Sequence, residues 1–239
     1  TLGGTLTADT IFTGTQVVIT KTIVVPEEYR LLIYPGATLV FSTGTTFEVY
    51  GTLYACGNEV APVVFTAWDQ QPGGWEGIRL YNPNTASILS HTRIEYAGER
   101  ALYLFNNAPI LSNVTVADSA LFALSFDGSI PLDLSQNVNF ADNPVNGIEV
   151  RAGTLRTPNI VWPASNIAYV VTGPLWVDEE VTLDIKTGAI VKFWARSKGQ
   201  PPGIWVRGLL KANGVHFTSI HDSRPEVGGV TYREAIDPQ

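Results

Sequence analysis

Short runs of alternating apolar and polar residues follow one another along the whole chain, and Gly, Pro, Asn and Asp separate them. Thr, Val, Ile, Leu and aromatic residues dominate these runs, as is typical of β-strands, whose side chains point alternately to opposite faces. No window carries apolar residues at i, i+3, i+4 and i+7, the spacing of an amphipathic helix. The pattern therefore predicts an all-β protein.

One strand pattern recurs at intervals close to 22 residues in the middle of the chain. Its central apolar residues lie 20, 24 and 22 positions apart, at Ile94, Val114, Val138 and Ile160. A second pattern recurs in step, 24, 22 and 24 positions apart, at Ile78, Leu102, Leu124 and Ile148. Two patterns that repeat together indicate that each circuit returns the chain to the same place one strand higher, at about 4.8 Å per strand.

These repeats predict a β-solenoid, in particular a single-stranded parallel β-helix with about 22 residues per circuit. A chain of 239 residues would then make about ten or eleven circuits. We expect residues 1–239 to form one continuous β-helix, with one internal column made of Ile94, Val114, Val138 and Ile160. A sandwich of hairpins is disfavoured because two-residue Asn-Gly or Asp-Gly turns are not placed between these runs.

The chain also contains a duplication at a much longer period. The two copies, which we call cassette one (residues 5–67) and cassette two (residues 154–219), flank the shorter repeats at 77–153. Segment Val17–Phe41 aligns without gaps on Tyr169–Phe193, an offset of 152 residues. Fixed glycines and apolar positions recur within the two segments, which predicts that both cassettes form the same strands.

Both cassettes continue to match beyond these segments, at 47–57 with 204–214 and at 65–67 with 217–219. The extra residues lie in turns rich in Gly and Pro, at 58–62 and 197–202. Loops tolerate added length while strands must keep their register, so the placement of these insertions supports the strand assignment.

The repeated motifs carry a family resemblance. They are Val25 to Glu27, Leu31 to Gly36, Val40-Phe41, Val49 to Gly57, Val64 to Thr66, Trp75 to Ile78 and Ile94 to Gly98. In this order they resemble the repeat regions of large secreted bacterial and archaeal surface proteins that form right-handed parallel β-helices. The resemblance covers nearly the whole chain and implies a right-handed coil and an exported protein. It specifies no reaction, because many proteins use such repeats.

Charge and composition narrow the class of protein further. The chain carries 15 Lys and Arg against 22 Asp and Glu, a net charge of −7 at pH 7, which repels phosphate backbones and disfavours nucleic acid as a partner. No stretch reaches the roughly 20 apolar residues of a membrane-spanning helix, so no membrane span is expected. The single cysteine forms no internal disulfide, and the absence of methionine is what removal of a signal peptide would leave. We expect an extracellular or cell-surface protein.

Four aspartates in or near turns are the first candidates for chemistry: Asp118, Asp127, Asp133 and Asp142. A stacked pair of carboxylates could act as acid and base or bind calcium. Aspartates in turns more commonly cap their own backbone, and no ladder of Arg or Lys accompanies these four. The paired-aspartate motif of polygalacturonases and the arginine-bearing strand of pectate lyases, enzymes that share the predicted fold, are not found. We expect no catalytic site.

Metal and nucleophile chemistry has little support in the sequence. Of the three histidines, only His216 and His221 are close together, and Asp222 follows the second. A zinc site needs more ligands than this, and His216, between two apolar residues, points away from the core. Cys56 lies in a turn without an evident His or Asp partner. We expect no metal, no cofactor and no nucleophile.

Three tryptophans of cassette two stand where cassette one has other residues. Trp176 and Trp205 lie between residues that match inward positions of cassette one, so strand alternation turns both indoles outward. Trp194 adjoins the end of another strand. Their counterparts in cassette one are Val24, Glu48 and Ser42, respectively. Large aromatic side chains on an outer face predict an interface or a contact with sugar rings, unless the chain's own loops cover them.

Two functions compete at this point. The first is a structural protein whose copies associate head-to-tail into a filament, sheath or surface layer, with the open end after residues 217–219 receiving the N-terminal strands of another copy. The second is a carbohydrate-binding or adhesive module, whose partner would be a cell-surface polysaccharide. A polysaccharide lyase or glycosidase has less support because no catalytic group has been found.

Overall fold

The structure, a computed structural model, describes residues 2–81, 86–196 and 201–233. Half of the chain is strand, and its parallel strands stack as a β-solenoid of about nine turns, with coils about 23 residues apart. The predicted all-β parallel β-solenoid is confirmed, although the turns are fewer than the ten or eleven expected. One reason is that the chain leaves the coil after residue 219. The predicted insertion at 197–202 lies largely outside the described residues.

The first twelve strands are β1 (Leu2–Thr5), β2 (Thr10–Phe12), β3 (Gln16–Val25), β4 (Arg30–Ile33), β5 (Thr38–Phe41), β6 (Phe47–Val49), β7 (Thr52–Cys56), β8 (Val63–Ala67), β9 (Ile78–Leu80), β10 (Ile88–Glu95), β11 (Arg100–Leu104) and β12 (Ile110–Ala117). The next twelve are β13 (Phe122–Phe126), β14 (Val138–Ala141), β15 (Val145–Val150), β16 (Gly153–Leu155), β17 (Asn159–Trp162), β18 (Tyr169–Val171), β19 (Pro174–Val177), β20 (Thr182–Ile185), β21 (Ile190–Phe193), β22 (Gly203–Val206), β23 (Leu209–Lys211) and β24 (His216–Ser219). A 3₁₀ turn at Pro225–Val227 follows the last strand.

Contacts divide the chain into two compact units. The first comprises Thr1–Ala123 and Asp133–Asn143, and the second comprises Leu124–Leu132 and Pro144–Gln239. Cassette one lies in the first unit and cassette two in the second. The two units therefore offer the same motif in two settings.

Left-handed corner residues set the register of the short repeats in the first unit. His91, Asn113 and Asn137 have φ angles of 44°, 52° and 55°. Asparagine is among the few residues that adopt this conformation readily, and the Nδ2 of Asn137 donates a hydrogen bond to Oδ1 of Asn113 at 2.9 Å. The residues directly after the three corners are neighbours in β10, β12 and β14, namely Thr92, Val114 and Val138.

The expected column of four residues is wrong at two positions. Val114 and Val138 are neighbours as expected, but Ile94 pairs with Val116, two residues further along β12. Ile160 belongs to a separate three-stranded sheet of β17, β20 and β23. The sequence alignment of the strand motifs placed Ile94 beside Val114, because it did not align the left-handed corners His91 and Asn113. Since the shift is two residues, Ile94 keeps its inward face and is buried.

Equivalent residues of the two cassettes have equivalent partners. In cassette one, β3, β5 and β8 are joined in parallel through the series Val17, Leu39 and Phe65. In cassette two, β18, β21 and β24 are joined through the series Tyr169, Val191 and Phe217, each 152 residues later. The repeated sequence thus produces a repeated register.

Aromatic side chains fill the interior of each unit. In the first unit, Phe41 stacks on Trp75 with ring centroids 4.2 Å apart. In the second unit, Trp162 stacks on Tyr169 at 4.9 Å, and its indole N–H donates to the carbonyl of Gly128 at 2.9 Å. Such side chains remove large apolar areas from water, and the carbonyl of Gly128 satisfies the buried N–H of Trp162.

Residues 220–233, which we call the strap, follow β24 and lie across the outer face of the sheet formed by β15, β18 and β21. The amide of Asn146 donates to the carbonyl of Thr231 at 2.9 Å, and Tyr232 forms an antiparallel bridge with Val145. The strap buries three of its own side chains, Ile220, Val227 and Thr231. It therefore covers a sheet surface that strand alternation alone would leave in solvent.

Candidate functional site

The last coil contains three strands that pair on one side only. Over the described ranges, β22 pairs with β19, β23 with β20 and β24 with β21, and no strand pairs with their other edges. The N–H and C=O groups of an unpaired strand edge are a template for a further strand. We call this surface the open edge.

Apolar side chains of the kind that the interior buries line the open edge. Alternation directs four of these side chains inward, namely Ile204, Val206, Leu210 and Phe217. The residues with which they pair in the preceding coil are all fully buried. Val206 is 41% exposed and Phe217 is 43% exposed, whereas their cassette-one counterparts Val49 and Phe65 are 1% and 0% exposed. The open edge is therefore an interior surface that the described residues leave uncovered.

Two of the three predicted tryptophans meet on the outer face beside the open edge. Trp176 and Trp205 are neighbours in β19 and β22, and their rings stack with centroids 5.4 Å apart. The guanidinium of Arg207 lies 5.2 Å from the ring of Trp176. A Cβ added at Gly203 would lie 2.7 Å from the indole of Trp205, so the ring rests directly on that glycine. The result is an aromatic and cationic surface, with Trp176 36% exposed.

The third predicted tryptophan lies apart from this pair. Trp194 follows β21 and packs against Tyr232 of the strap, with ring centroids 4.9 Å apart. The guanidinium of Arg196 lies 5.4 Å from the Trp194 ring. Trp194 is therefore half-buried by the chain's own strap, which is the alternative that the sequence left open.

A buried lysine fastens the strap, and sequence reasoning missed it. Lys192 in β21 is 0% exposed, and its Nζ donates to the carbonyls of Asp222 at 2.6 Å and Gly229 at 2.9 Å. Burial lowers the pKa of Lys192, while the nearby Asp222 opposes that shift. The one available signal was its alignment with Val40 of cassette one, a lysine in place of an apolar residue.

A second buried ionisable group, Glu149 in β15, is 1% exposed. Its carboxylate accepts hydrogen bonds from the hydroxyls of Ser125 at 2.6 Å and Thr172 at 3.3 Å, and Arg196 lies 3.7 Å away. Arg151 donates to the Ser125 hydroxyl at 3.0 Å. The network links side chains of the second unit to one another. Because Ser125 is itself fully buried, its hydroxyl is not exposed as a nucleophile.

Two of the four candidate aspartates cap their own turns. Oδ1 of Asp127 accepts from the amide of Ser129 at 2.9 Å, and Oδ1 of Asp133 accepts from the amide of Ser135 at 2.9 Å. Hydrogen bonds from Ser135 lower the pKa of Asp133. These contacts match the capping role that the sequence favoured.

The other two candidates, Asp118 and Asp142, occupy equivalent corners of successive coils. Their φ angles are 53° and 55°, and the residues before them, Ala117 and Ala141, are paired. Burial raises the pKa of Asp118, and the charges of Asp142 and Glu95 raise it further. Within the described ranges, no group of three or more His, Cys, Asp or Glu residues could hold a metal ion.

The histidines and the cysteine are dispersed. His216 is exposed on β24, while His221 lies edge-to-face against Tyr232 at 5.8 Å. Hydrogen bonds from Arg224 and Thr218 lower the pKa of Asp222. The Asp222 carboxylate therefore joins two residues of the strap to β24. Burial raises the pKa of Cys56, which reduces its thiolate fraction at neutral pH.

Comparison with family models, with curated proteins and with solved structures finds no match for this chain. In the part of the chain that the structure describes, no helix is long and apolar enough to cross a membrane.

Proposed function

We propose that this chain is an extracellular structural unit whose copies associate head-to-tail through the open edge. The observation that carries the proposal is the exposure of Val206 and Phe217, at 41% and 43%, on strands whose second edge pairs with no other described strand. The extracellular location rests on the resemblance of the repeat motifs to secreted surface proteins. The product of such association is a filament, a sheath or a surface layer.

Cassette one indicates what fits the open edge. Its strands β6 and β8, the counterparts of β22 and β24, are followed by a further parallel coil, because Phe47 pairs with Ile78 and Val64 pairs with Arg93. A parallel coil of the same kind is therefore the occupant that matches the geometry of cassette two. A second copy offers one at its N-terminal side, where β1 and β2 pair only with β3 and β4 among the described residues.

The energetics favour such a contact. Fully burying a Val or Phe side chain is worth about 1.5–3 kcal/mol, so covering the half-exposed Val206 and Phe217 contributes about 1 kcal/mol each. Pairing the strand edges adds backbone hydrogen bonds at about 1 kcal/mol each. The stacked Trp176 and Trp205, on the outer face beside the edge, supply further apolar area along a seam.

A contact between two different surfaces of the same chain is heterologous. Such contacts produce open filaments unless the rotation between copies closes a ring. The proposal therefore predicts a distribution of lengths that grows with concentration.

Sedimentation velocity over a concentration series, combined with negative-stain microscopy, tests the proposal. The wild-type chain is expected to form larger species as its concentration rises. Phe217→Arg places a charge in the open edge and is expected to leave the protein monomeric. Val60→Arg is the matched control, because Val60 is 93% exposed and is not part of the open edge, and it is expected to assemble like the wild type.

Two further variants test the partner surface and the seam. Removal of residues 1–10 takes away β1 and is expected to abolish assembly, and Trp205→Glu is expected to weaken it. A wild-type chain that stays monomeric at high concentration would contradict the proposal. So would a Phe217→Arg variant that assembles normally.

A further inference from the structure

The first unit carries a surface cleft that shares no residue with the open edge. Its volume is about 260 Å³, close to the lower end of small-ligand pockets at about 300 Å³. Its lining combines charged and aromatic groups: Glu76, Arg79, Glu99, Arg100 and Tyr103. All five residues belong to two successive coils of the same unit.

Strand register places the groups of the cleft on the outer face. Arg79 in β9 pairs with Glu48 in β6 and with Tyr103 in β11, so these three side chains form one outward row. The guanidinium of Arg79 lies 3.7 Å from Glu48 and 3.9 Å from Glu76. Three of the five lining residues, Arg79, Arg100 and Tyr103, therefore lie on regular strands, which hold their side chains more precisely than loops do.

A glycine lets the two coils approach closely at the cleft. Gly77 has a φ of 98°, and a Cβ there would lie 2.6 Å from the carbonyl oxygen of Arg100 and 2.7 Å from that of Ala101. Only a residue without a side chain allows this approach. The turn that carries Glu76 consequently lies directly against the start of β11, at Arg100 and Ala101.

Aromatic rings support one side of the cleft. Tyr50, Tyr81 and Phe105 stack in a column, with successive centroids 4.4 Å and 4.6 Å apart. Phe105 meets Tyr103 edge-on at 4.0 Å, and the guanidinium of Arg100 lies 5.5 Å from the Tyr103 ring. The position of Tyr103 is therefore set by its neighbours before any ligand arrives, which lowers the entropic cost of binding.

The charges that line the cleft balance each other, two carboxylates against two guanidinium groups. Arg100 lies 3.4 Å from Glu99, as Arg79 lies near Glu76. A phosphate or an acidic sugar would gain from the guanidinium groups but meet the carboxylates. A neutral ligand with neighbouring hydroxyl groups suits both, because carboxylates accept from hydroxyls and guanidinium groups donate to them.

We infer that this cleft binds a neutral oligosaccharide, with Tyr103 against the apolar edge of a sugar ring and the four charged side chains on its hydroxyl groups. The inference goes beyond the proposed self-association and does not depend on it, since the cleft and the open edge share no residue. The structural unit would then also attach to a glycan.

Calorimetric titration of the full chain with cellotetraose, mannotetraose and chitotetraose tests the inference, with trigalacturonate as the acidic counterpart. At least one neutral tetrasaccharide is expected to bind with a Kd below about 5 mM, and trigalacturonate more weakly. Tyr103→Ala and the double variant Glu76→Gln, Glu99→Gln are each expected to weaken binding about tenfold or more. Tyr34→Ala is the matched control, because Tyr34 is an exposed tyrosine of the same unit that does not line the cleft, and its affinity should equal that of the wild type.

Four results would overturn the inference. They are failure of all three neutral tetrasaccharides to bind, tighter binding of trigalacturonate, wild-type affinity in Tyr103→Ala, and wild-type affinity in the Glu76, Glu99 double variant. Loss of binding in Trp176→Ala with retention in Tyr103→Ala would assign the glycan to the tryptophan pair instead. Circular dichroism of each variant checks that a loss of binding is not a loss of fold. A variant that unfolds is replaced by Tyr103→Leu, which keeps apolar volume but removes the aromatic ring and is expected to weaken binding to the same extent.

Discussion

The two cassettes have aligned sequences and the same strand register, yet the side chains of the last coil of cassette two are far more exposed than their equivalents in cassette one. Phe65 in cassette one is 0% exposed, whereas Phe217, 152 residues later and in an equivalent strand, is 43% exposed. The difference does not arise within either strand. Phe65 lies in β8, which pairs with both β5 and β10, whereas β24 pairs only with β21 among the described residues. In a solenoid, the alternation of a strand sets where a side chain points, and the next coil sets whether it is buried.

The cassettes also differ at two buried positions. Lys192 and Tyr169 of cassette two stand where cassette one has Val40 and Val17. Lys192 holds the strap through two backbone carbonyls, and the hydroxyl of Tyr169 donates to the carbonyl of Pro163 at 3.0 Å. At these two positions cassette two thus buries polar groups where cassette one has valines, and its stability there depends on specific hydrogen bonds.

The largest expected contrast comes from deleting the same ring in both cassettes. Phe65→Ala leaves a cavity in a closed interior and is expected to destabilise the first unit by about 3–5 kcal/mol. Phe217→Ala, measured in dilute protein where the open edge is uncovered, is expected to cost about 1 kcal/mol or less. Urea denaturation of both variants measures the difference. Equal losses would show that the exposure of the two rings does not decide their contribution.

Two equivalent glycines, Gly51 and Gly208, allow the cassettes to be compared at the backbone. A Cβ at Gly51 would lie 2.2 Å from the carbonyl oxygens of Pro26 and Tyr29, and a Cβ at Gly208 would lie 2.2 Å and 2.3 Å from those of Asp178 and Val181. Gly51→Ala is expected to cost about 3 kcal/mol, because a covering coil prevents the strand from moving away. Gly208→Ala at the open edge is expected to cost about half as much, because that strand is free to shift outward. Thermal unfolding of the two variants measures the ratio, and a Gly208→Ala loss equal to or above that of Gly51→Ala would contradict the explanation.

Replacing the buried lysine tests the strap. Lys192→Met removes two hydrogen bonds to backbone carbonyls of the strap and is expected to destabilise the strap by about 2 kcal/mol. Hydrogen exchange of the Asn146 amide, which donates to Thr231, reports the opening of the strap. Lys186→Met is the control, because Lys186 pairs with Asp184 on an exposed face and its loss should leave that exchange rate unchanged. An unchanged rate in Lys192→Met would mean that other contacts hold the strap.

The smallest expected effect is a dependence of stability on alkaline pH. Burial raises the pKa of Tyr169 above its ordinary value of about 10. Above that value the unfolded chain releases the proton while the folded chain keeps it, so stability falls as pH rises. One pH unit higher, the loss is about 1 kcal/mol. Denaturation of the wild type and of Tyr169→Phe at pH 9 and 11 should show a steeper fall in the wild type, and parallel curves would contradict the assignment.

Much of the architecture could be predicted because it depends on local periodicity. The repeat spacings and the alignment of the cassettes indicated a parallel β-solenoid and its inward positions, including those at Phe65 and Phe217. The column through Ile94 could not be placed correctly, because a shift of two residues along a strand leaves the pattern of apolar and polar positions unchanged. The left-handed corner at His91 distinguishes the offsets, and that conformation depends on the surrounding coils.

The repeat spacing of the amino-acid sequence specified the period of the coil. Alternation along each strand specified its inward face and the outward direction of Trp176 and Trp205. Which of those faces is covered depends on the contacts between coils and on the strap. The strap over Lys192, the burial of Trp194 against Tyr232 and the exposure of Val206 all depend on segments distant in sequence. A strand encodes its own two faces through side-chain alternation, but the cover on each face comes from another part of the fold, and no local pattern specifies it.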